Sequence, residues 1–279
     1  MRQIFPVAGT ELPLPPAVTA GPLPPAVAEL ARLYGNVAGP VRSRSSGDWW
    51  LRANMVASID GAVSVDGRSG GLSGPADRAL FTVLRSLADV ILVGTSTARA
   101  EKYRPASAAG LWPQLRDSRP LPPIALITPS LRLDGCERLL DQPAGPSQTI
   151  VITTGAALTR CGGSVRGRAR VIEAGQDRLD WHTALAALGG PGAALLCEGG
   201  PTILGLLTAA GVLDELCVTT SPLVAGGRAG RIVAALPGTG AQDTVPAPPL
   251  PLQLAHVLAD GSFLFSRYLR ADSGSASGS

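Results

Sequence analysis

Two apolar runs that stop at glycine constrain this chain most. Residues 90–93 are followed by Gly94, and residues 195–197 are followed by an acidic residue and two glycines at 198–200. A helix-like pattern begins after each turn. Glycine at a strand end lets a ligand approach the backbone closely, and the unpaired N–H groups of the next helix attract an anion. Two such turns in one chain predict a nucleotide lying across the strand ends of an α/β sheet.

Strand-like and helix-like segments alternate along most of the chain. Strands are predicted at residues 50–59, 62–65, 90–93, 124–128, 149–153, 169–172, 193–197 and 215–219, and helices at 75–87, 95–101, 155–160, 179–188 and 201–210. Such alternation is typical of an α/β fold with a mostly parallel central sheet and helices on both faces. Residues 252–258 and 263–268, joined at Asp260-Gly261, predict a C-terminal antiparallel hairpin.

Composition divides the chain into three parts. Residues 1–47 form a proline-rich N-terminal arm with one short helix near 25–34, and we expect this arm to lie over the main domain at 48–271. Residues 272–279 are rich in Ser and Gly and are expected to be disordered. Long proline-rich connections are predicted at 110–123 and 234–251, and Ser73 is predicted to cap the helix at 75–87.

The amino-acid content argues against several classes of protein. The net charge is only +3 and the arginines are scattered, which disfavours a nucleic-acid surface. There is no apolar stretch long enough to cross a bilayer and no secretion signal, so we expect a cytoplasmic protein without a membrane partner. The four cysteines lack paired spacing and there are two histidines, so we predict no metal site and no Ser-His-Asp hydrolase.

A set of short motifs makes the chain recognisable. The set comprises residues 54–61 (NMVASIDG), 71–74 (GLSG), Arg78, 84–85 (LR), 88–97 (ADVILVGTST) and 198–202 (EGGPT). Over about residues 50–269, this ordered set resembles the reductase domain of bacterial riboflavin biosynthesis, which has a dihydrofolate-reductase-like fold. The resemblance implies that NADPH reduces a small-molecule substrate, 5-amino-6-(5-phosphoribosylamino)uracil, opening its ribose to ribityl in a homodimer. The zinc deaminase signature is absent from the sequence, which predicts a stand-alone reductase.

Both glycine turns would bind NADPH in a protein of this kind. The glycines would admit the cofactor, and the threonine hydroxyls would bond its phosphate oxygens. The predicted residues of the two turns are Gly94, Thr95, Thr97, Glu198, Gly199, Gly200, Pro201 and Thr202. The resemblance also implies a strained peptide between the paired glycines. The alternative is that these glycines only form tight turns.

The resemblance places the adenosine of the cofactor near the end of the strand at 124–128. Thr128, Ser130 and Arg132 follow that strand, and the arginine would bind a 2′-phosphate and favour NADPH over NADH. Thr153 ends the next strand and would add a further contact. Ordinary loop polarity explains these residues equally well.

Candidates for substrate binding and proton transfer come from the first strand and two other positions. Asn54, Ser58 and Asp60 share one face of the strand, which in the resembling family lines the nicotinamide and substrate pocket. Asp60 and Glu198 are the candidate catalytic acids, although an Asp-Gly pair is also a common turn. Arg78 is a candidate for binding ribose or phosphate, and a solvated helix arginine is the alternative.

One stretch departs from the family pattern. The family has an Asp-Asx-Pro stretch and a later arginine for the substrate phosphate, whereas this chain has Glu101, Lys102, Tyr103 and Ala108 there. We expect Glu101 and Arg104 to take part in substrate binding, with Arg104 or Lys102 replacing the phosphate-binding arginine. The divergence leaves two alternatives open: a reductase of dihydrofolate or another pterin, and a non-catalytic nucleotide-binding protein.

Overall fold

The computed structural model describes residues 1–5, 24–35, 49–107, 112–116, 119–190, 192–234 and 249–271. Its strands are β1 (Arg2–Phe5), β2 (Trp49–Ser58), β3 (Val90–Gly94), β4 (Ile124–Ile127), β5 (Ile150–Thr153), β6 (Arg170–Glu173), β7 (Ala193–Cys197), β8 (Glu215–Ser221), β9 (Leu252–Asp260) and β10 (Phe263–Arg270). Its helices are α1 (Pro25–Gly35), α2 (Pro75–Leu87), α3 (Thr95–Ala100), α4 (Trp112–Arg116), α5 (Glu137–Leu140), α6 (Gly155–Cys161), α7 (Trp181–Ala186) and α8 (Pro201–Ala209). The predicted tail at 272–279 and most of the predicted connection at 234–251 lie outside the described residues.

The strands form a single sheet in the order β1-β9-β10-β8-β2-β7-β3-β4-β5-β6. Every pair from β8 to β6 in this order is parallel, and the pairs β8–β10, β10–β9 and β9–β1 are antiparallel. The predicted α/β architecture, mostly parallel with a C-terminal antiparallel hairpin, is therefore confirmed. No helix in the described ranges is long and apolar enough to span a membrane.

Two apolar clusters lie on opposite faces of the sheet. One contains residues of α1, α2, α3, α5 and α6 with Ile91, Val93 and Leu126 of the strands, and the other contains residues of α7 and α8 with Leu92 and Ile127. The alternation of these strand residues between the two clusters follows from the two-residue repeat of a strand. Central strands buried on both faces explain why they appear in the sequence as continuous apolar runs.

The structure corrects several local predictions. The N-terminal arm contributes β1 to the sheet edge, and helix α1 packs against α2 in the core. No strand forms at 62–65; an isolated bridge joins Val65 to Arg68, because the N–H of Ala62 donates to the Ser58 hydroxyl and that of Val63 to the Gly230 carbonyl. The connection predicted at 110–123 contains α4, and α7 is shorter than the helix predicted at 179–188.

The predicted helix cap is also wrong. The N-cap of α2 is Gly74 rather than Ser73, and no side chain caps the helix. Pro75 occupies the first helical position, where its fixed φ and missing N–H suit a helix start. A cap at Ser73 would start the helix at Gly74, one residue earlier than observed.

A buried ion cluster joins β2, β8, β10 and α1. Glu215 is fully buried, and its carboxylate accepts from Arg52 at 2.7 Å, from Arg267 at 2.8 Å and from the Trp50 indole at 2.9 Å. The two guanidiniums also donate to carbonyls at the end of α1. Burial alone would raise the pKa of Glu215, but the two arginines offset that effect and hold it at about 2.

We predict that Glu215→Gln destabilises the fold by about 3–5 kcal/mol, because it leaves two buried guanidiniums without their carboxylate. Urea unfolding at pH 7 measures the loss of free energy. The exposed Glu173→Gln serves as the matched control and is expected to change stability by less than about 0.5 kcal/mol. A loss for Glu215→Gln no larger than the control would contradict the role of this cluster.

Because the pKa of Glu215 is depressed from 4.5, its contribution to the free energy of unfolding is present above pH 4.5 and lost as the pH falls through about 2.

Candidate active site

A cleft of about 780 Å³ opens at the carboxyl ends of β2, β3 and β7. Helix α2 forms one wall of the cleft, and the segment that follows α3 forms another. Of the predicted site residues, those that line it are Asn54, Arg78, Thr97, Glu101, Arg104, Glu198, Gly200 and Pro201. Ligands of open α/β sheets bind at this end of the strands, since the loops that follow them converge there.

The two glycine turns meet at the floor of this cleft. The N–H of Gly94 donates to the carbonyl of Gly199 at 2.8 Å, and the peptide between Gly199 and Gly200 is cis. Gly199 has a φ of +87°, a region that favours glycine. A Cβ on Gly200 would lie 2.4 Å from the hydroxyl oxygen of Thr97, so a larger residue fits only if the Thr97 hydroxyl moves.

Helix α8 begins directly after these glycines. Gly200 is its N-cap and Pro201 its first residue, and no side chain caps this end of the helix. Backbone N–H groups at the start of a helix attract anions. Phosphate binding beside Thr202 stays a prediction.

Glu198 is held by three donors in the wall of the cleft. Arg85 of α2 donates to both carboxylate oxygens at 2.6 Å, and the hydroxyl of Tyr103 donates to Oε2 at 2.7 Å. The side chain of Glu198 is only 2% exposed. These contacts fix the Glu198 side chain in place within the wall of the cleft, while its role as a catalytic acid stays a prediction.

Aromatic rings enclose the arginine of this group. The guanidinium carbon of Arg85 lies 4.3 Å from the Phe81 ring centroid and 5.2 Å from that of Tyr103. Burial and the neighbouring carboxylate raise the pKa of Tyr103 well above its usual value of 10, so its hydroxyl stays protonated and donating. No role for Arg85 or Tyr103 is predicted from the sequence. The spacing of Arg78, Phe81 and Arg85, which places them on one face of α2, is the pattern that could have indicated a role for Arg85.

The structure places Asp60 and Ser58 outside the cleft lining. The Asp60 carboxylate accepts from the Ser58 hydroxyl at 2.5 Å and from the N–H groups of Ala225 and Gly226 at 3.0 and 2.7 Å. These hydrogen bonds, that of Ser58 first, lower the pKa of Asp60 to about 2. The carboxylate fastens the loop after β8 to the end of β2, so its predicted role as a proton donor is not supported, and the Ser58 hydroxyl serves the same turn.

Glu101 lines the cleft but is engaged with the opposite wall. Its carboxylate accepts from the N–H and the hydroxyl of Ser69 at 2.7 and 2.9 Å. It therefore joins the end of α3 to the turn that precedes α2, and substrate binding by Glu101 stays a prediction.

The predicted adenosine contacts divide into two groups. Thr128 and Thr153 are buried, and the Thr153 hydroxyl donates to the Thr128 carbonyl at 2.7 Å, so these residues join the ends of β4 and β5, and their cofactor contacts stay a prediction. Ser130 and Arg132 are exposed on either side of the buried Leu131, whose φ is +55°. They remain available to a ligand at this edge of the sheet.

The cleft also carries polar groups that have no partner in the described part of the chain. Arg78, Lys102 and Arg104 are exposed at its rim, and their side chains make no hydrogen bond or ion pair to a described residue. The amide oxygen of Asn54 is buried without a hydrogen bond. Asp77, which the sequence analysis did not select, lies in the wall formed by α2. Within the described ranges, no group of His, Cys, Asp and Glu is arranged to hold a metal ion.

Comparison with known proteins identifies the family. Residues 49–264 match the family described as the RibD C-terminal domain. This chain belongs to the RibD C-terminal domain family. It is 29% identical over 210 residues to the 2,5-diamino-6-ribosylamino-4(3H)-pyrimidinone 5′-phosphate reductase of Methanothermobacter thermautotrophicus, covering 74% of this chain and 92% of that protein. The reductase of the same description from Archaeoglobus fulgidus is 27% identical over 187 residues, 64% of this chain and 83% of the relative.

A solved structure has the same fold as this chain over most of its length. A pyrimidine reductase-like protein from Corynebacterium diphtheriae has a TM-score of 0.67 and 23% identity, and the match covers 87% of this chain and 99% of that chain. This chain therefore shares the fold of that protein, with the mostly parallel sheet and the C-terminal antiparallel hairpin expected from the sequence.

We predict that Tyr103→Phe lowers the free energy of unfolding by about 1.5–3 kcal/mol, because the buried carboxylate of Glu198 loses one charged hydrogen bond. Urea unfolding measures the change. Tyr268→Phe is the matched control, since the Tyr268 hydroxyl bonds to no described residue and its loss is expected to cost little. Equal losses for both variants would contradict the assigned contact.

Proposed function

We propose that this chain is an NADPH-dependent reductase of a ribosylaminopyrimidine 5′-phosphate in riboflavin biosynthesis. The observation that carries the proposal is the cleft at the two glycine turns, whose rim holds three unpaired cations. Membership of the RibD C-terminal domain family and the two pyrimidinone phosphate reductases among its relatives support the same conclusion.

The residues at the glycine turns fit a nicotinamide cofactor. Gly94, Gly199 and Gly200 let the two turns pack closely against Ile203, Met55 and Thr97, and the N–H groups at the start of α8 would bind a pyrophosphate. Thr95, Thr97 and Thr202 would add hydroxyl contacts. Ser130 and Arg132 would hold a 2′-phosphate at the adenosine end, which favours NADPH over NADH. When bound, the cofactor supplies the hydride.

The rim cations fit the other end of the substrate. The side chains of Arg78, Lys102 and Arg104 form no ion pair with a described residue, so a phosphate dianion is a complementary ligand for them. This arrangement replaces the arginine that the family has later in the segment.

The reaction opens the ribose ring of the substrate. The C1′–O4′ bond breaks, the C1′–N bond becomes a double bond, and the proton of that nitrogen passes to O4′, which becomes the 4′-hydroxyl. C1′ then receives a hydride, and the nitrogen receives a proton. The chain contributes mainly position: the rim holds the phosphate, and the group of Glu198, Arg85 and Tyr103 fixes the cofactor turn against the α2 wall. Close, aligned approach of two carbons is the chief requirement of hydride transfer.

The direct test measures NADPH oxidation at 340 nm with the purified chain. The ribosylamino-aminouracil phosphate, its 2,5-diaminopyrimidinone counterpart and dihydrofolate are offered separately, each also with NADH. We expect turnover with a ribosylaminopyrimidine phosphate and NADPH. Turnover of dihydrofolate alone would replace the proposal by a pterin reductase, and tight NADPH binding without any oxidation would indicate a non-catalytic nucleotide-binding protein.

We predict that Gly200→Ala weakens NADPH binding by at least about tenfold, because the added methyl group displaces the hydroxyl of Thr97, a proposed cofactor contact, from its position. Isothermal titration calorimetry measures the affinity. Gly190→Ala is the matched control, since a Cβ there meets nothing within 4 Å. Unchanged affinity in Gly200→Ala would remove the cofactor from this turn.

We predict that Arg104→Ala raises KM for the phosphorylated substrate about tenfold and leaves KM for its dephosphorylated form unchanged. Steady-state kinetics with both substrates separate loss of the phosphate contact from general damage. The exposed Arg160→Ala, on α6, is the control and should leave both values unchanged. A parallel rise for both substrates in Arg104→Ala would contradict phosphate binding by this residue.

We further propose that the chain acts as a cytoplasmic homodimer. The family resemblance supports this assembly, and Phe5 and Leu264 expose apolar side chains on the outer antiparallel strands. Light scattering coupled to gel filtration tests the assembly.

A further inference from the structure

Asp77 is a buried carboxylate in the wall of the cleft that the proposed function does not use. The residue is 8% exposed, and it lines the cleft from the first turn of α2. In the described part of the chain its carboxylate accepts no hydrogen bond and forms no ion pair. An acidic residue that is largely buried is normally paired, whereas the Asp77 carboxylate reaches the open space of the cleft.

Two ordinary structural roles do not account for Asp77. An acidic residue at the third helical position often bonds back to the N-cap N–H, but no such bond to Gly74 is present. Arg85, the cation of the same helix face, is committed to Glu198 through both carboxylate oxygens. The helix N-terminus favours a negative charge at this position without satisfying its oxygens.

Asn54 is a second polar group of the cleft with hydrogen-bonding capacity to spare. Its side chain lines the cleft from β2, and its amide oxygen is buried without a partner. Asp77 offers only acceptors, whereas the amide of Asn54 offers both donors and an acceptor. Together they match a planar ligand that presents adjacent N–H donors and a carbonyl.

The two rings that the proposed function admits differ at one edge. A 2-aminopyrimidin-4-one has a 2-amino group beside N3–H, which forms a pair of donors that one carboxylate accepts in two parallel hydrogen bonds. A uracil has a carbonyl at position 2, so the same carboxylate would keep one hydrogen bond and face an oxygen lone pair. The 4-carbonyl is common to both rings and does not discriminate between them.

Resting on the proposed function, we infer that Asp77 recognises the 2-amino group and N3–H of the ring, with Asn54 binding the part common to both rings. The chain is then a reductase of the 2,5-diaminopyrimidinone rather than of the aminouracil expected from the sequence. A site built to accept a donor rejects an analogue that lacks it, because the buried acceptor is left unpaired.

The test compares kcat/KM for the two ribosylaminopyrimidine phosphates with NADPH. We expect the unmodified chain to prefer the diaminopyrimidinone by at least about tenfold. Asp77→Asn places an N–H donor opposite position 2 and should lower that preference at least about tenfold, chiefly by raising KM for the diaminopyrimidinone and lowering it for the uracil. Asp77→Ala should lose the preference without gaining affinity for the uracil.

A matched control and a binding measurement complete the experiment. The exposed Asp177→Asn removes the same charge outside the cleft and should leave the preference unchanged. Calorimetry with the two ribitylamino products reports ring preference even without turnover. Equal or reversed preference in the unmodified chain, or an unchanged preference in Asp77→Asn, would overturn the inference. Absence of turnover with either ring would instead refute the proposed function, and product binding would still decide the role of Asp77.

Discussion

The geometry of the cleft depends on the contacts of Glu198. Its carboxylate draws together three parts of the chain that are far apart in sequence: the β7 turn, helix α2 through Arg85, and the segment after α3 through Tyr103. Burying the Glu198 carboxylate without these donors would cost free energy, so the hydrogen bonds fix the positions of all three parts. The glycine turn after β7 and the cationic rim are therefore held in a fixed relation before any ligand binds.

A second buried carboxylate has a comparable role in the frame of the fold. Glu215 joins the central strand β2 to the antiparallel strands β8 and β10, and the arginines that bind it also reach the end of α1. The carboxylates of Glu198 and Glu215 accept hydrogen bonds from donors within the chain. The carboxylate of Asp77 and the amide oxygen of Asn54 have no hydrogen-bond partner among the described residues. That difference separates acidic and amide groups that maintain the structure from those left available to a ligand.

Much of the fold was predictable because its signals are local. The apolar runs that became β3 and β7 end at glycines in the sequence, and the close contact of Gly94 with Gly199 follows from the parallel pairing of their strands. The roles of Asp60 and Glu198 were not predictable, since they depend on partners up to 166 residues away, such as Gly226. The four-residue strand β1 is too short for a periodic pattern, and its place is set by pairing with β9.

Isotope labelling can follow the proposed transfer of a hydride from NADPH to the substrate within the cleft. The chain is incubated with the diaminopyrimidinone ribosyl phosphate and, separately, with NADPH deuterated on each face of C4 of the nicotinamide. Mass spectrometry then locates the label in the product. The account predicts one deuterium at C1′ of the ribityl chain with one of the two labelled cofactors. A ribityl product without deuterium from either cofactor would contradict it.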